Sequence, residues 1–339
     1  MNFKGELDMK KIKLSLRIIL SFIIVISLIL PLQIESAEEV DSGLNLSHLD
    51  NKLSHIAGDG SHTLALKSDG TVYGIGASNW GQIDVSDWKD IIQVEASIRN
   101  TIGLKSNGTV ITTGRKTYFQ SWTDIVQVDI ATSNIAGLKS DGTVVVNGLI
   151  DSDIDILSQI EQWLDIVQVD IRVNSIYGLK SDGTVVATGD SGQKVGSWVN
   201  IVQISSGVGL KSDGTVVTED GLFSDDILNI IDSWTDIIQI SANNHIIMGL
   251  KSNGTVVAAG EFLNGNSNDI KKFESWTNIV QISTGTDHAV GLRSDGTLVA
   301  VGESFYGQID VDDLNNINAF HVPSLSGIES GNQIVSEGT

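Results

Sequence analysis

The sequence predicts an all-β chain, a seven-bladed β-propeller built from seven repeats of about 38 residues. Three observations carry that expectation. Leu-Lys/Arg-Ser-Asp/Asn-Gly-Thr occurs seven times, with its glycine at Gly70, Gly108, Gly142, Gly183, Gly214, Gly254 and Gly296, spaced by 38, 34, 41, 31, 40 and 42 residues. Each copy sits between an apolar run and a β-branched run, as in Gly178-Leu179-Lys180-Ser181-Asp182-Gly183-Thr184-Val185-Val186. Asp-Gly or Asn-Gly between such runs is a hairpin signal, because glycine takes a positive φ at no steric cost. A second element, Trp-x-Asp/Asn-Ile-Ile/Val-Gln, begins at Trp88, Trp122, Trp163, Trp198, Trp234 and Trp276. Its strand is apolar on both faces, as expected where sheets stack on either side.

Taken in order, the chain divides into four parts. Residues 1–37 read as a signal peptide: Lys10, Lys11, Lys13 and Arg17 precede the apolar run Ile18 to Leu30. Met9, just before the basic cluster, is the expected true start. Cleavage is expected after Ala37 or Ser36; the alternative is an uncleaved anchor, for which the apolar run is short. Residues 38–47 form a polar lead-in, residues 48–320 the propeller, and residues 321–339 a flexible polar tail. Each repeat is a Trp-anchored strand, a segment ending in Gly-Leu, and a Thr-Val-Val run after the turn. Helical periodicity appears once and weakly, from Asp153 to Trp163. A single blade leaves two apolar faces open, so the ring must close. Either Leu53-Ser54-His55-Ile56-Ala57 or Asp313 to Phe320, which has Leu314 in place of tryptophan, is expected to supply the closing strand.

The full sequence has 339 residues, 35 glycines, no cysteine and a formal charge of −21. Lack of cysteine excludes disulfides, lipid-modified cysteine and thiolate chemistry. The acidic balance argues against nucleic acid and anionic membrane as partners. It suits either solubility or a basic partner surface.

Two repeats carry more than the hairpin. The first reads Ala57-Gly58-Asp59-Gly60-Ser61-His62-Thr63-Leu64-Ala65-Leu66, then Asn79-Trp80-Gly81-Gln82. The seventh has Thr286-Asp287-His288-Ala289-Val290-Gly291-Leu292, then Phe305-Tyr306-Gly307-Gln308. Over residues 48–320 the chain resembles the regulator-of-chromosome-condensation repeat family, whose members form seven-bladed propellers. Repeats two to six keep only the hairpin and the Trp strand. Given the leader and the charge, the resemblance points to the family's secreted bacterial branch, which includes beta-lactamase inhibitory protein II. In that protein, loops after the blade glycine carry partner-binding aromatics.

Those loops hold Asn79 and Trp80, Tyr118 and Phe119, Leu149 and Ile150, Leu222 and Phe223, Phe262 and Leu263, and Phe305 and Tyr306. The fourth, Gly189 to Gly196, has no aromatic. The expected partner-binding residues are Asn79, Trp80, Tyr118, Phe119, Phe223, Phe262, Phe305 and Tyr306. Clustered aromatics on loops held by a rigid scaffold are what protein-binding hot spots look like. The hairpin cations Lys67, Lys105, Lys139, Lys180, Lys211, Lys251 and Arg293 should form a solvated ring. Asp151-x-Asp153-x-Asp155 opens like a calcium loop, but Ile156 and Gln162 stand where glycine and glutamate are required. The histidines lack ligand spacing, and His62 and His288 belong to the repeat. No nucleophile motif or acid/base pair is recognisable. Asp90, Asp124, Asp165 and Asp236, exchanged for Asn200 and Asn278, suit a turn. The expectation is a secreted, monomeric binding protein, not an enzyme, with no cofactor or metal. Its expected partner is an extracellular protein, and inhibition of an extracellular enzyme such as a β-lactamase is one form that binding would take. The alternative is a cell-surface lectin-like propeller that binds glycan; a hydrolase or lyase is the third reading.

Overall fold

The computed structural model describes residues 53–114, 122–132, 134–148, 154–172, 175–263 and 269–318. The expected leader 1–37, lead-in 38–47 and tail 321–339 lie outside them. The described residues form seven three-stranded antiparallel sheets, each a consecutive meander. The first blade comprises Ile56–Asp59, His62–Leu66 and Val72–Gly76. The inner strands of the next six are Ile91–Ser97, Ile125–Ala131, Ile166–Arg172, Ile201–Ser205, Ile237–Ala242 and Ile279–Thr284. The expected propeller of seven blades is the observed architecture.

Each hairpin is built the same way. The Gly70 amide donates to the Lys67 carbonyl at 3.0 Å, and the Lys67 amide to the Thr71 carbonyl at 2.8 Å. That is a type I turn followed by a left-handed glycine, φ +78° at Gly70, a three-residue loop rather than a two-residue one. Asp69 Oδ1 accepts from both the amide and the hydroxyl of Thr71, at 2.9 and 2.6 Å. The recurring Asp/Asn-Gly-Thr is thus turn chemistry. The Asp of Trp-x-Asp is also a turn residue: Asp90, Asp124, Asp165, Asn200, Asp236 and Asn278 all have φ near +60°, a region that Asn and Asp tolerate best after glycine.

The core is divided among seven seams, each with its own cluster of buried apolar side chains. Trp88 illustrates the arrangement. It packs between Leu64 and Leu66 of the first blade and the middle strand of the second. A Cβ on Gly103 would lie 2.6 Å from Trp88 Cζ3, and the same clash recurs at Gly137 with Trp122 and at Gly291 with Trp276. The glycine of Gly-Leu-Lys is therefore the socket for the tryptophan.

A second repeated device was not anticipated. The glutamine of each Trp strand reaches across the channel wall to the backbone of the next blade. Gln93 donates to the Val128 carbonyl at 2.8 Å and accepts from the Val128 amide at 2.9 Å. Gln127, Gln168, Gln203 and Gln239 do the same to Val169, Ile204, Ile240 and Ile282. Gln281 closes the ring by bonding the Leu53 carbonyl and the His55 amide. The remaining seam lacks a glutamine, and the Val94 amide donates to the Ser54 carbonyl instead.

Both ends of the chain close the first blade. Ile317 bridges to Lys67, and the Asn318 amide donates to the Leu66 carbonyl. Asn316 has φ +57°, matching the Trp-x-Asp turns. Ile56–Asp59 then continues the same inner edge, with Ile56 opposite Ala65. The two candidate closing segments share the task.

Two loops fold into helices. The weakly periodic stretch forms Ile154–Ile160, and a helix not anticipated covers Asp225–Ile231. Asp269–Lys272 adds one turn in the sixth loop. Among the described residues no helix is long and apolar enough to cross a membrane.

Candidate functional site: an aromatic rim on one face of the ring

The turns between inner and middle strands and the starts of the loops after outer strands share one face of the ring. In the first and seventh blades that face is built by the signature residues. Gln82 and Gln308 are buried. Gln82 Oε1 accepts from the Trp80 amide, and Gln308 Oε1 from the Tyr306 amide, both at 2.9 Å. Their carbonyls are held in turn: Thr101 Oγ1 donates to Gln82 at 2.6 Å, and Thr63 Oγ1 to Gln308 at 2.7 Å.

The histidines complete the scaffold. His62 Nε2 lies 3.0 Å from Thr101 Oγ1, and His288 Nε2 lies 2.7 Å from Thr63 Oγ1. Each threonine proton is committed to a glutamine carbonyl, so each imidazole donates through Nε2. Burial pushes both histidines down to about 4, which keeps them neutral. Their role is structural, as the repeat pattern suggested.

This scaffold leaves the loop tips outside. Phe305 is 79% exposed, Trp80 47% and Tyr306 45%, and Asn79 is exposed beside them. Phe305 and Tyr306 meet edge to face at 4.9 Å. The Arg99 guanidinium lies 4.9 Å from the Trp80 ring centre. The loops overlap from blade to blade. A Cβ on Gly76 would lie 3.1 Å from Gln308 Cβ, and Thr113 donates to the Gly81 carbonyl at 2.8 Å. The neighbouring turns are equally close. The Leu263 amide donates to the Thr286 carbonyl, the Thr286 amide to Asp59 Oδ1, and Gly60 abuts the Ile98 backbone. Leu263 and Ile98 are both exposed. Trp80, Ile98, Leu263, Phe305 and Tyr306 thus occupy one arc across the sixth, seventh, first and second blades.

Two expected rim residues are elsewhere. Phe223 and Phe262 are buried, at 8% and 4% exposure. The helix Asp225–Ile231 and the turn at 269–275 fold back over their loops and turn these rings inward. Phe223 joins the cluster of Ile231 and Trp234. Phe262 lies 6.4 Å from Phe273, which meets Trp276 edge to face at 4.8 Å. Tyr118 and Phe119 lie outside the described residues, as do Leu149, Ile150, Asp151 and Asp153. The fourth loop contributes polar groups: Ser191 and Lys194 donate to Glu219 of the fifth blade at 2.8 Å, as Tyr177 of the fourth blade's middle strand does.

The channel holds chemistry that the sequence reading missed. A cavity of about 390 Å³ runs between the inner strands. Two residues after the recurring glutamine stand Glu95, Asp129 and Asp170 in three successive blades, and Ser205, Ser241 and Ser283 in the next three. The spacing was legible, but its meaning requires knowing that this position faces the axis. Burial raises all three carboxyls, and repulsion from Asp129 adds to it at Glu95 and Asp170. Asp129 accepts from the Ile171 amide and Asp170 from the Ser206 amide, at 2.7 and 2.8 Å. Ser205, Ser241 and Ser283 accept from Ala242, Thr284 and Gly58 in the same way. These five bonds make a second ring of contacts across the seams. Among the described residues no cluster of His, Asp or Glu has the arrangement of a metal site.

Residues 279–308, in the seventh blade, match the model of the Regulator of chromosome condensation (RCC1) repeat. The fold is similar to the CRINKLY WD40 ectodomain of the receptor kinase ACR4 from Arabidopsis thaliana. That match has 16% identity and a TM-score of 0.58, over 77% of this chain and 99% of that one. The entire ectodomain of the receptor kinase CR4 from Physcomitrella patens matches with 11% identity and a TM-score of 0.54, over 74% and 73%. Prp20p from Saccharomyces cerevisiae matches with 16% identity and a TM-score of 0.41, over 77% and 75%. No curated protein sequence matches the chain. The seventh blade thus matches the RCC1 repeat, in a ring whose other blades follow the same backbone plan.

Proposed function

We propose that the chain is a protein-interaction module that binds a protein partner through the aromatic rim of its first and seventh blades. One observation carries this reading. Buried Gln82 and Gln308 fix the backbone under Trp80 and Tyr306 while the rings stand in solvent. Large aromatics held rigid and exposed on adjacent loops cost solvation without contributing to the core, and such residues dominate binding at interfaces. Catalysis is a weaker reading, because the channel carboxylates are occupied in seam bonds. The signal-like leader supports a partner outside the cell, and inhibition of an extracellular enzyme is one form such binding takes.

The test is capture of proteins from the culture medium by immobilised protein, wild type against the triple variant Trp80→Ala, Phe305→Ala, Tyr306→Ala. Loss of the captured protein with unchanged melting is expected. Equal capture by the folded triple variant, or capture of glycan in place of protein, overturns the reading.

A further inference from the structure

The rim carries charge as well as rings, and the charge names a class of partner. We infer that the rim is shaped for a basic, apolar-bearing segment of another protein, with lysine or arginine next to leucine or aromatic side chains. The inference rests on the proposed binding role of the same rim and adds the chemistry of the partner.

The sixth, seventh and first loops each place a carboxylate beside an exposed apolar group. Glu303 stands two residues before Phe305, and its Oε1 accepts from the amides of Ser304 and Phe305 at 2.9 and 3.0 Å. That leaves Oε2 on the same loop tip as the ring. Glu261 occupies the equivalent position beside Leu263: its amide bonds the His245 carbonyl at 3.1 Å, as the Glu303 amide bonds Asp287 at 2.8 Å. The carboxylates of Asp84 and Asp310 lie against Gly81 and Gly307, one residue beyond Trp80 and Tyr306, where a glycine Cβ would meet them at 2.8 and 2.9 Å. Glu261, Asp84 and Asp310 are exposed and Glu303 half-buried. Among the described residues none of the four is in an ion pair; the ion pairs there join Arg172, Lys194 and Lys272 to Glu219 and Asp269. The described cation at this rim, Arg99, is stacked on Trp80.

The result is an alternation of ring and carboxylate along the arc. An acidic or neutral partner would bury these carboxylates unpaired, which is costly, whereas a basic one satisfies them. The chain's net charge of −21 acts in the same sense at longer range, drawing cationic surfaces in and repelling anionic ones. Apolar side chains interleaved with the cations would fill the spaces beside Phe305, Tyr306 and Trp80.

The probes are two labelled peptides of one length, one alternating lysine with leucine and tryptophan, the other with glutamate for every lysine. Fluorescence anisotropy reads their affinity for the full chain at low and high salt. The lysine peptide is expected to bind at least about tenfold more tightly than the glutamate peptide, with the gap narrowing as salt rises. The double variant Glu261→Gln, Glu303→Gln, which keeps a side-chain oxygen to accept from the Ser304 and Phe305 amides, should weaken lysine-peptide binding severalfold. The triple variant Trp80→Ala, Phe305→Ala, Tyr306→Ala should weaken it by about tenfold or more. Equal affinity for the two peptides, or no effect of the glutamate changes, overturns the inference. If the triple variant still loses its captured protein from the medium in that case, the binding role stands and only the partner's charge is wrong. If the triple variant binds the lysine peptide as wild type does, the rim is not the site of the basic segment and the inference falls, while capture from the medium decides the binding role separately.

Discussion

Leu314 and Ala65 occupy, in the seam between the seventh and first blades, the positions that the other six seams give to a tryptophan and a glycine. The exchange conserves volume: a smaller residue inserts where a Cβ has been added to the socket. The pair therefore predicts a coupling. Leu314→Trp alone should destabilise the ring by about 1–3 kcal/mol through overpacking. Ala65→Gly in the same chain should recover most of that loss. A double-mutant cycle from urea midpoints should give an interaction above about 0.5 kcal/mol; strictly additive effects would contradict the socket.

The glutamine staples make a second prediction. Gln168→Ala removes a side chain that serves both backbone groups of Ile204 in a buried seam. Leaving them unpaired should cost about 1–3 kcal/mol each at most. Hydrogen exchange gives the specific reading: the Ile204 amide should lose protection well before amides in the blade opposite.

Phe262 and Phe305 look alike in the sequence and should behave in opposite ways. Phe262→Ala opens a cavity against Phe273 and should cost about 3–5 kcal/mol. Phe305→Ala, at 79% exposure, should change stability by no more than about 0.5 kcal/mol. Thermal melts of the two variants separate the core ring from the rim ring.

Stability should peak at mildly acidic to neutral pH, with two limbs of different origin. Glu95 is pushed up to about 8 by burial and by the neighbouring Asp129. An acid raised on folding binds more protons in the folded state, so its contribution is full below the ordinary carboxylate range and is lost as pH climbs towards 8. His62 and His288, pushed down to about 4, act in the opposite sense: stability they confer above pH 6.5 is lost as pH falls to 4. Glu95→Gln should flatten the alkaline limb and leave the acid limb intact. A profile of urea midpoint against pH that rises steadily through 8 would refute the first assignment.

Much of the architecture was legible because it repeats. Seven Asp/Asn-Gly-Thr turns and six tryptophans gave blade number and seam position, since a turn residue or a wedge has the same local meaning in every copy. The glutamine staple repeats just as faithfully, yet its partner is the backbone of the next blade, which sequence spacing does not reveal. The rim was half legible for a related reason. Trp80, Phe305 and Tyr306 are followed by Gly-Gln, whose amide pins the loop and leaves the rings outside. Phe223 and Phe262 lack that glutamine, and helices formed downstream fold over them. Reading Gly-Gln as the condition for exposure would have separated the two sets.

The division of the first blade's inner edge between Ile56–Asp59 and Ile317 also sets an order of events during synthesis. Six seams can form as the ribosome delivers successive blades, each needing only its immediate predecessor. The seventh waits for Leu314 and Ile317, which emerge some 260 residues after the strand they complete. Until then the nascent chain is an open crescent with Ala65 and Val290 uncovered at its two ends. That interval is when the protein is most exposed to pairing with a second copy.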